Sequence, residues 1–181
     1  MKHSNGPLAG LIIIEPLVLK DNRGYFYEAH QHERYHALGI PRFTQDNTSR
    51  SQKNVLRGMH YQLPHAQGKL VGVTHGAVLD VVIDIRRSSK TFGQWFSIEL
   101  NDQNHMQMYI PPGFAHGFCV LSDFADFYYK CTDYYTPGAE HGIRWNDPQL
   151  NIAWPIKNPI LSSKDEIYPS LNEITDDKLF S

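Results

Sequence analysis

A chain of 181 residues carrying 17 Lys and Arg against 19 Asp and Glu has a formal net charge of −2. That length usually makes one domain, here expected over residues 1–181, and the balanced charge lacks the basic footprint that neutralises phosphates, so no nucleic-acid partner is expected. No apolar run approaches the ~20 residues that span a bilayer, Leu11 to Ile14 being typical, so no membrane partner is expected. Cys119 and Cys131 lack CxxC spacing and Met1 to Gly10 lacks the layout of a signal peptide, which points to the reducing cytoplasm.

Apolar residues recur with period two in short runs, the pattern of β-strands: Leu11–Leu19, Lys69–Val73, Val78–Arg86, Trp95–Leu100, Gln107–Ile110, Phe118–Leu121 and Phe127–Cys131. Turn clusters separate them, among them Asp21-Asn22-Arg23-Gly24, Pro111-Pro112-Gly113 and Thr136-Pro137-Gly138. Helical pattern is scarce. Glu33–Leu38, stopped by Gly39 and Pro41, predicts one short helix, and capping residues predict another near Ser162–Ile167. The acidic tail after Ser170 is expected to be loosely held. Many short strands with few helices predict an all-β sandwich or barrel.

Within Val78–Arg86 the odd positions are apolar, while Asp80, Asp84 and Arg86 share the other face with Val78 and Val82. Taken alone, such a face is more often wet than a polar cavity. The densest chemistry lies in Arg57-Gly58-Met59-His60-Tyr61-Gln62 and the following Lys69. Histidine titrates near working pH and makes His60 the leading general-base candidate. A lone histidine on a strand is more often structural. Here Lys69, His116 and Tyr129 sit on other predicted strands able to converge with it. Arg57 and His60, three residues apart, point to opposite faces of a regular strand, but a bulge at Gly58 would bring them together. Arg57 can equally lie just before the regular strand. Arg23 and Arg57 have the forked donors that grip a diphosphate.

Tyr109-Ile110-Pro111-Pro112-Gly113-Phe114-Ala115-His116-Gly117-Phe118 contains a Pro-x-Gly-x-x-His pattern that resembles the second motif of cupins, which are double-sheet jelly rolls. Metal-binding cupins supply a His-x-His pair and a glutamate in their first motif. The matching stretch, His60-Tyr61-Gln62, has no such set, so no metal site is expected.

Asp21–Glu28, Phe43–Ser49, Val55–Gln62, Ile110–Phe118, Tyr129–Thr132, Ile143–Pro148 and Leu161–Asp165 together, in that order and across nearly the whole chain, resemble the dTDP-4-dehydrorhamnose 3,5-epimerase family. The resemblance implies a cupin-type jelly roll, a double-sheet β-barrel with a few short peripheral helices, working without metal or organic cofactor. It implies a homodimer that exchanges N-terminal strands and a nucleotide-sugar substrate, a dTDP-linked 4-keto-6-deoxy sugar on the way to dTDP-L-rhamnose. By matching position His60 would be the base, Tyr129 the acid and Lys69 the donor near the enolate, with Asp165 or Asp80 supporting the histidine. Arg23, Phe26, Glu28, Gln45, Asp46, Asn47, Arg57, His116, Tyr135, Glu140 and Lys164 would bind or orient the substrate. Two departures are small: Met59 stands where leucine is common, and His65 where proline is.

The chemistry accounts for these residue types. A C4 ketone acidifies C3–H and C5–H, because the resulting enolate places its charge on the ketone oxygen. Inversion then needs a base on one face, a donor at the oxygen and an acid on the other face. Pairing with Asp80 would help to keep Lys69 charged there. A tyrosine, with a reference pKa of ~10, is a plausible donor and a poor base. The alternatives are a C3-only epimerase or related 4-keto-sugar isomerase on the same fold, and a noncatalytic cupin that binds a nucleotide sugar.

Overall fold

In the computed structural model, which describes residues 1–181, thirteen strands form two main sheets and one separate hairpin. The strands are β1 (Lys2–Asn5), β2 (Ile12–Glu15), β3 (Leu19–Asp21), β4 (Gly24–Phe26), β5 (Gln45–Gln52), β6 (Leu56–Gln62), β7 (Lys69–His75), β8 (Ala77–Asp84), β9 (Trp95–Asn101), β10 (Gln107–Ile110), β11 (Phe114–Val120), β12 (Phe124–Cys131) and β13 (Glu140–Gly142). One sheet runs β1-β2-β10-β7-β12-β5 and the other β13-β6-β11-β8-β9, with all pairings antiparallel. The fold is an all-β jelly roll of the cupin type whose two sheets remain unclosed.

The inner faces meet in the largest apolar cluster, which draws Val71, Met108 and Phe127 from the six-stranded sheet and Val82, Leu100 and Phe118 from the five-stranded one. Phe118 and Phe127 stack across the gap with ring centroids 4.1 Å apart. Burial of such rings supplies most of the driving force for closing one sheet on the other. The outer face of the five-stranded sheet is covered by the C-terminal stretch, with Leu150, Leu171 and Leu179 packed on Met59, Val81 and Ile83. The outer face of the other sheet carries Tyr35 and Ile40 over Ile14 and Leu70.

Both faces of β8 are therefore buried. Asp80 and Asp84 are 0% exposed, so the face that a single strand predicts to be wet lies inside the molecule. Asp84 is satisfied by the Arg86 guanidinium and backbone and by the hydroxyls of Ser89 and Thr91.

The one α-helix, α1 (His32–His36), begins at Gln31, whose side chain accepts from the Arg34 backbone at 2.7 Å, and ends before Gly39 at φ +83°. Two expectations are corrected. Ser162–Ile167 forms a hydrogen-bonded turn rather than a helix. The tail after Ser170 is not loose: two 3-10 turns carry it back over the sheet, Leu171 and Leu179 are buried, and Phe180 bridges to Arg86. Composition showed its acids but not these evenly placed apolar anchors. The predicted strand Leu11–Leu19 is split at Pro16 into β2 and β3, as a residue without an N–H requires.

β3 and β4 pair only with each other, around Gly24 at φ +133°. This hairpin exposes Leu17, Leu19, Tyr25 and Phe26, the last at 68%.

Candidate active site

A cleft of about 640 Å³ opens between the two sheets. The five-stranded sheet contributes Arg57 and His60 from β6 and His116 from β11; the six-stranded sheet contributes Asn47, Lys69 and Tyr129 from β5, β7 and β12. Glu140 of β13 and the turn carrying Ser162, Lys164 and Asp165 complete the wall.

Arg57 and His60 share the cleft because β6 is bulged. His116 pairs with His60 and Phe118 with Arg57, so three steps on β6 match two on β11. Gly58 sits at that shift with φ +127°, and a Cβ there would lie 2.5 Å from the Gly117 Cα, which leaves glycine the one residue that fits.

His60 Nε2 donates to Asp165 Oδ1 at 2.5 Å, leaving Nδ1 facing no protein partner. Asp165 is held in turn by Ser162, whose hydroxyl donates to Oδ2 at 2.9 Å and accepts from the Asp165 backbone. Burial pushes the Asp165 carboxyl up, but hydrogen bonds from His60 and Ser162 and the positive charge of Lys164 outweigh it and bring it below the ordinary range. Asp80 instead receives His116 Nε2 at 2.9 and 3.0 Å on its two oxygens. The cleft thus holds two His–Asp pairs, and Asp165 is the carboxylate at His60. Burial raises the Asp80 carboxyl against the opposing pull of His116 and Lys69.

Lys69 and Tyr129 project from neighbouring strands, Lys69 opposite Cys131 and Tyr129 opposite Val71, which makes them diagonal neighbours on one face. Burial lowers the Lys69 ammonium, opposed by Cys131, Glu140 and Asp80 acting through space. Lys69 and Asp80 form no ion pair, so the pairing considered for them is not made. Burial raises the Tyr129 phenol, with Cys131 and Glu140 adding to it and Arg57 opposing. Neither side chain has a hydrogen-bonding partner in the protein, so both are available to a ligand.

Arg57 donates Nε to Ser51 Oγ at 3.0 Å, and its exposed end reaches the cleft. Gln45 bonds Asn47 at 3.0 Å and accepts from the Tyr135 backbone at 2.8 Å, which ties β5 to the segment carrying Tyr135, but neither Gln45 nor the half-exposed Tyr135 ring lines the cleft. Lys164 pairs with Glu140, which also accepts from the Tyr168 hydroxyl at 3.2 Å. Asp46 lies on the other face of β5. It pairs with Lys130 at 2.7 Å and lines a separate hollow with His30 and Arg42. Arg23, Phe26 and Glu28 lie outside the cleft on and beside the β3–β4 hairpin, Arg23 paired with Asp21 and Glu28 with Arg34. Ser51, Ser162 and Tyr168 were not anticipated. The Ser-x-x-Asp spacing could have singled out Ser162 as a turn-former, but nothing in the sequence marks Ser51 or Tyr168.

No three His, Cys, Asp or Glu side chains come close enough together to hold a metal ion. No helix is long and apolar enough to cross a membrane.

Known proteins resemble this chain in sequence and in fold. The family model described as dTDP-4-dehydrorhamnose 3,5-epimerase matches residues 5–173. The enzyme of that name from Pseudomonas aeruginosa is 51% identical over 168 residues, covering 91% of this chain and 93% of that protein. The one from Escherichia coli K12 is 51% identical over 175 residues, covering 94% and 95%. The crystal structure of dTDP-6-deoxy-D-glucose-3,5-epimerase from Legionella pneumophila, in complex with dTDP-4-keto-L-rhamnose, superposes with a TM-score of 0.96 at 53% identity, covering 99% of this chain and 97% of that one. With a family model matched over nearly its whole length and half its residues shared with these relatives, the chain belongs to the dTDP-4-dehydrorhamnose 3,5-epimerase family.

Proposed function

We propose that this protein is a dTDP-4-dehydrorhamnose 3,5-epimerase. It inverts C3 and C5 of dTDP-4-keto-6-deoxy-D-glucose to give dTDP-4-dehydro-L-rhamnose for dTDP-L-rhamnose synthesis. The observation that carries this reading is the opposition of His60 on one sheet to Tyr129 on the other, across one cleft, with Lys69 beside Tyr129. A sugar ring lying between the sheets meets a base on one face and an acid on the other, which is the arrangement that inversion needs.

His60 removes the proton through Nδ1, and the Asp165 carboxylate at Nε2 steadies the imidazolium that forms. Charge then builds on the C4 oxygen, where the Lys69 ammonium donates. Burial disfavours that ammonium, and the negative charge developing on the oxygen favours it in the transition state. Tyr129 returns a proton to carbon from the opposite wall. Its phenol, raised by burial, stays protonated until the enolate calls for it. Arg57, Asn47 and Lys164 stand where they can hold the diphosphate and nucleoside.

The reading extends to the assembly. The chain works as one domain in a homodimer that exchanges N-terminal segments, so that Arg23, Phe26 and Glu28 serve the partner's cleft. The exposed apolar surface of the self-paired hairpin supports this. The enzyme acts in the cytoplasm, consistent with two unpaired thiols, and uses neither metal nor organic cofactor, Lys69 supplying the electrophile.

Incubation with dTDP-4-keto-6-deoxy-D-glucose in heavy water, after exhaustive chelation, tests the reading. Two deuteriums, at C3 and C5, with both centres inverted are expected. Label and inversion at C3 alone indicate a C3-only epimerase, and no label at all a binding protein. Activity lost on chelation and restored by one divalent ion overturns the metal-free mechanism.

A further inference from the structure

Behind His60, away from the cleft, the ring of Tyr168 stands edge to face against the imidazole, with centroids 5.7 Å apart and planes at 68°. The ring lies over Gly142, which pairs with His60 in the β13–β6 ladder. A Cβ on Gly142 would fall 2.4–2.5 Å from three atoms of the Tyr168 ring. The missing methyl is thus what admits the tyrosine. Its hydroxyl donates to Glu140 Oε1 at 3.2 Å, which fixes the far end of the ring. Tyr168 and Glu140 also line a second, smaller hollow of about 190 Å³ on the other side, so the tyrosine separates that hollow from the back of His60.

From this geometry we infer that Tyr168, admitted by Gly142, is a positioning residue that sets the plane of the His60 imidazole for proton transfer. The inference rests on the role of His60 given above. The Asp165 hydrogen bond fixes one atom of the ring, but hydrogen bonds tolerate angular departures of roughly 30°. A catalytic group must hold its direction to within about 10–20°. The Tyr168 ring, set edge to face against the imidazole, closes that difference, directs the Nδ1 lone pair into the cleft and keeps water from the ring's back.

Four variants test this together. Tyr168→Ala should lower kcat about 10–100-fold with KM and affinity for dTDP nearly unchanged, since the ring touches the base and not the substrate. Tyr168→Phe keeps the ring and should restore kcat to within about threefold of the wild type. Gly142→Ala should lower kcat as Tyr168→Ala does, because its methyl drives the ring outward. The double variant Gly142→Ala/Tyr168→Ala should be no slower than Tyr168→Ala, the methyl now having room. Circular dichroism and dTDP binding identify any variant that fails to fold, and Tyr168→Leu, which keeps bulk without an aromatic plane, then takes its place with the same expected loss. The inference is overturned if Tyr168→Ala and Gly142→Ala keep wild-type kcat, if the loss appears in KM instead, or if the Gly142 and Tyr168 effects simply multiply. An inactive wild type with its natural substrate would instead defeat the epimerase reading itself, so the two failures are distinguishable.

Discussion

A proton bound to carbon leaves slowly unless base, oxyanion donor and returning acid are all in place, and the residues proposed for these roles, His60, Lys69 and Tyr129, stand on different strands. His60 is steadied by Asp165, which is steadied by Ser162, so its direction is set by a relay of fixed contacts rather than by one rotamer. Tyr129 has no such partner, as suits a donor whose acceptor is the substrate. The two should therefore fail differently. His60→Ala should abolish both solvent exchange and inversion, a loss of roughly 10²–10⁴-fold or more, because no proton leaves carbon without the base. Tyr129→Phe deletes only a hydroxyl, so the enolate still forms and His60 returns the proton to the face it came from. Deuterium should then enter the recovered sugar with retention of configuration. Mass and stereochemistry of that sugar after incubation in heavy water decide the matter. Inversion at the wild-type rate by Tyr129→Phe, or rapid exchange at both carbons by His60→Ala, would require another pair.

Among the strands, β8 shows how an element with buried charges on an inner face is made stable. Burial pushes Asp84 up, yet donors from Arg86, Ser89 and Thr91 bring its carboxyl down to about 2. A carboxyl whose folded pKa lies below its unfolded value contributes stability that is complete above the unfolded value, about 3.9, and is lost as pH falls through the folded one. Asp84→Asn should cost about 3 kcal/mol at neutral pH by leaving the Arg86 charge unpaired. The melting temperature should fall by about 6–12 °C. Denaturant titrations between pH 7 and pH 2 should show the gap between the two proteins shrinking below pH 4; a constant gap would mean that the charge on Asp84 is not what stabilises the turn. The inner face of β8 was not legible from its own residues, since alternating Val and Asp look the same whether water or a second sheet lies beyond them. Strands with apolar alternation, such as β7, β9 and β12, could be read directly. β5 could not, because its inward positions are Gln45, Asn47, Ser49 and Ser51, all polar, of which Asn47 and Ser49 line the cleft rather than a core. The bulge in β6 was foreshadowed by Gly58 between two residues that chemistry wants on one side. Ser162–Ile167 has helix-capping residues, but the turn closes because Ser162 caps Asp165 and the Asp165 side chain is committed to His60. Ser51 touches Arg57, and Tyr168 packs on His60 and bonds Glu140, indirect contacts that leave no pattern in a sequence.

At the scale of the whole molecule, one cleft lies between the two sheets of a single chain. Asn47 and Arg57 stand there, while Arg23, Phe26 and Glu28 are held away on and beside a hairpin that pairs with nothing but itself. An arm with Leu17, Leu19, Tyr25 and Phe26 exposed is costly in water, and a second copy of the chain offers a place to bury it. If each cleft is completed by the partner's arm, defects in arm and base complement one another in trans. Arg23→Ala/Phe26→Ala protein has intact bases and defective arms, and His60→Ala protein the reverse. Each alone should be nearly inactive at low substrate concentration. A mixed dimer contains one cleft with both parts intact and one with neither. Random exchange of equal amounts makes half the dimers mixed, so activity should recover to about a quarter of the wild-type value. Subunits would be exchanged by brief denaturation and refolding, with each variant refolded alone as the control. Recovery to that level supports an arm that acts across the dimer. If the mixture shows only the average of the two separate activities, the arm serves its own cleft, and the exchange of N-terminal segments must be abandoned.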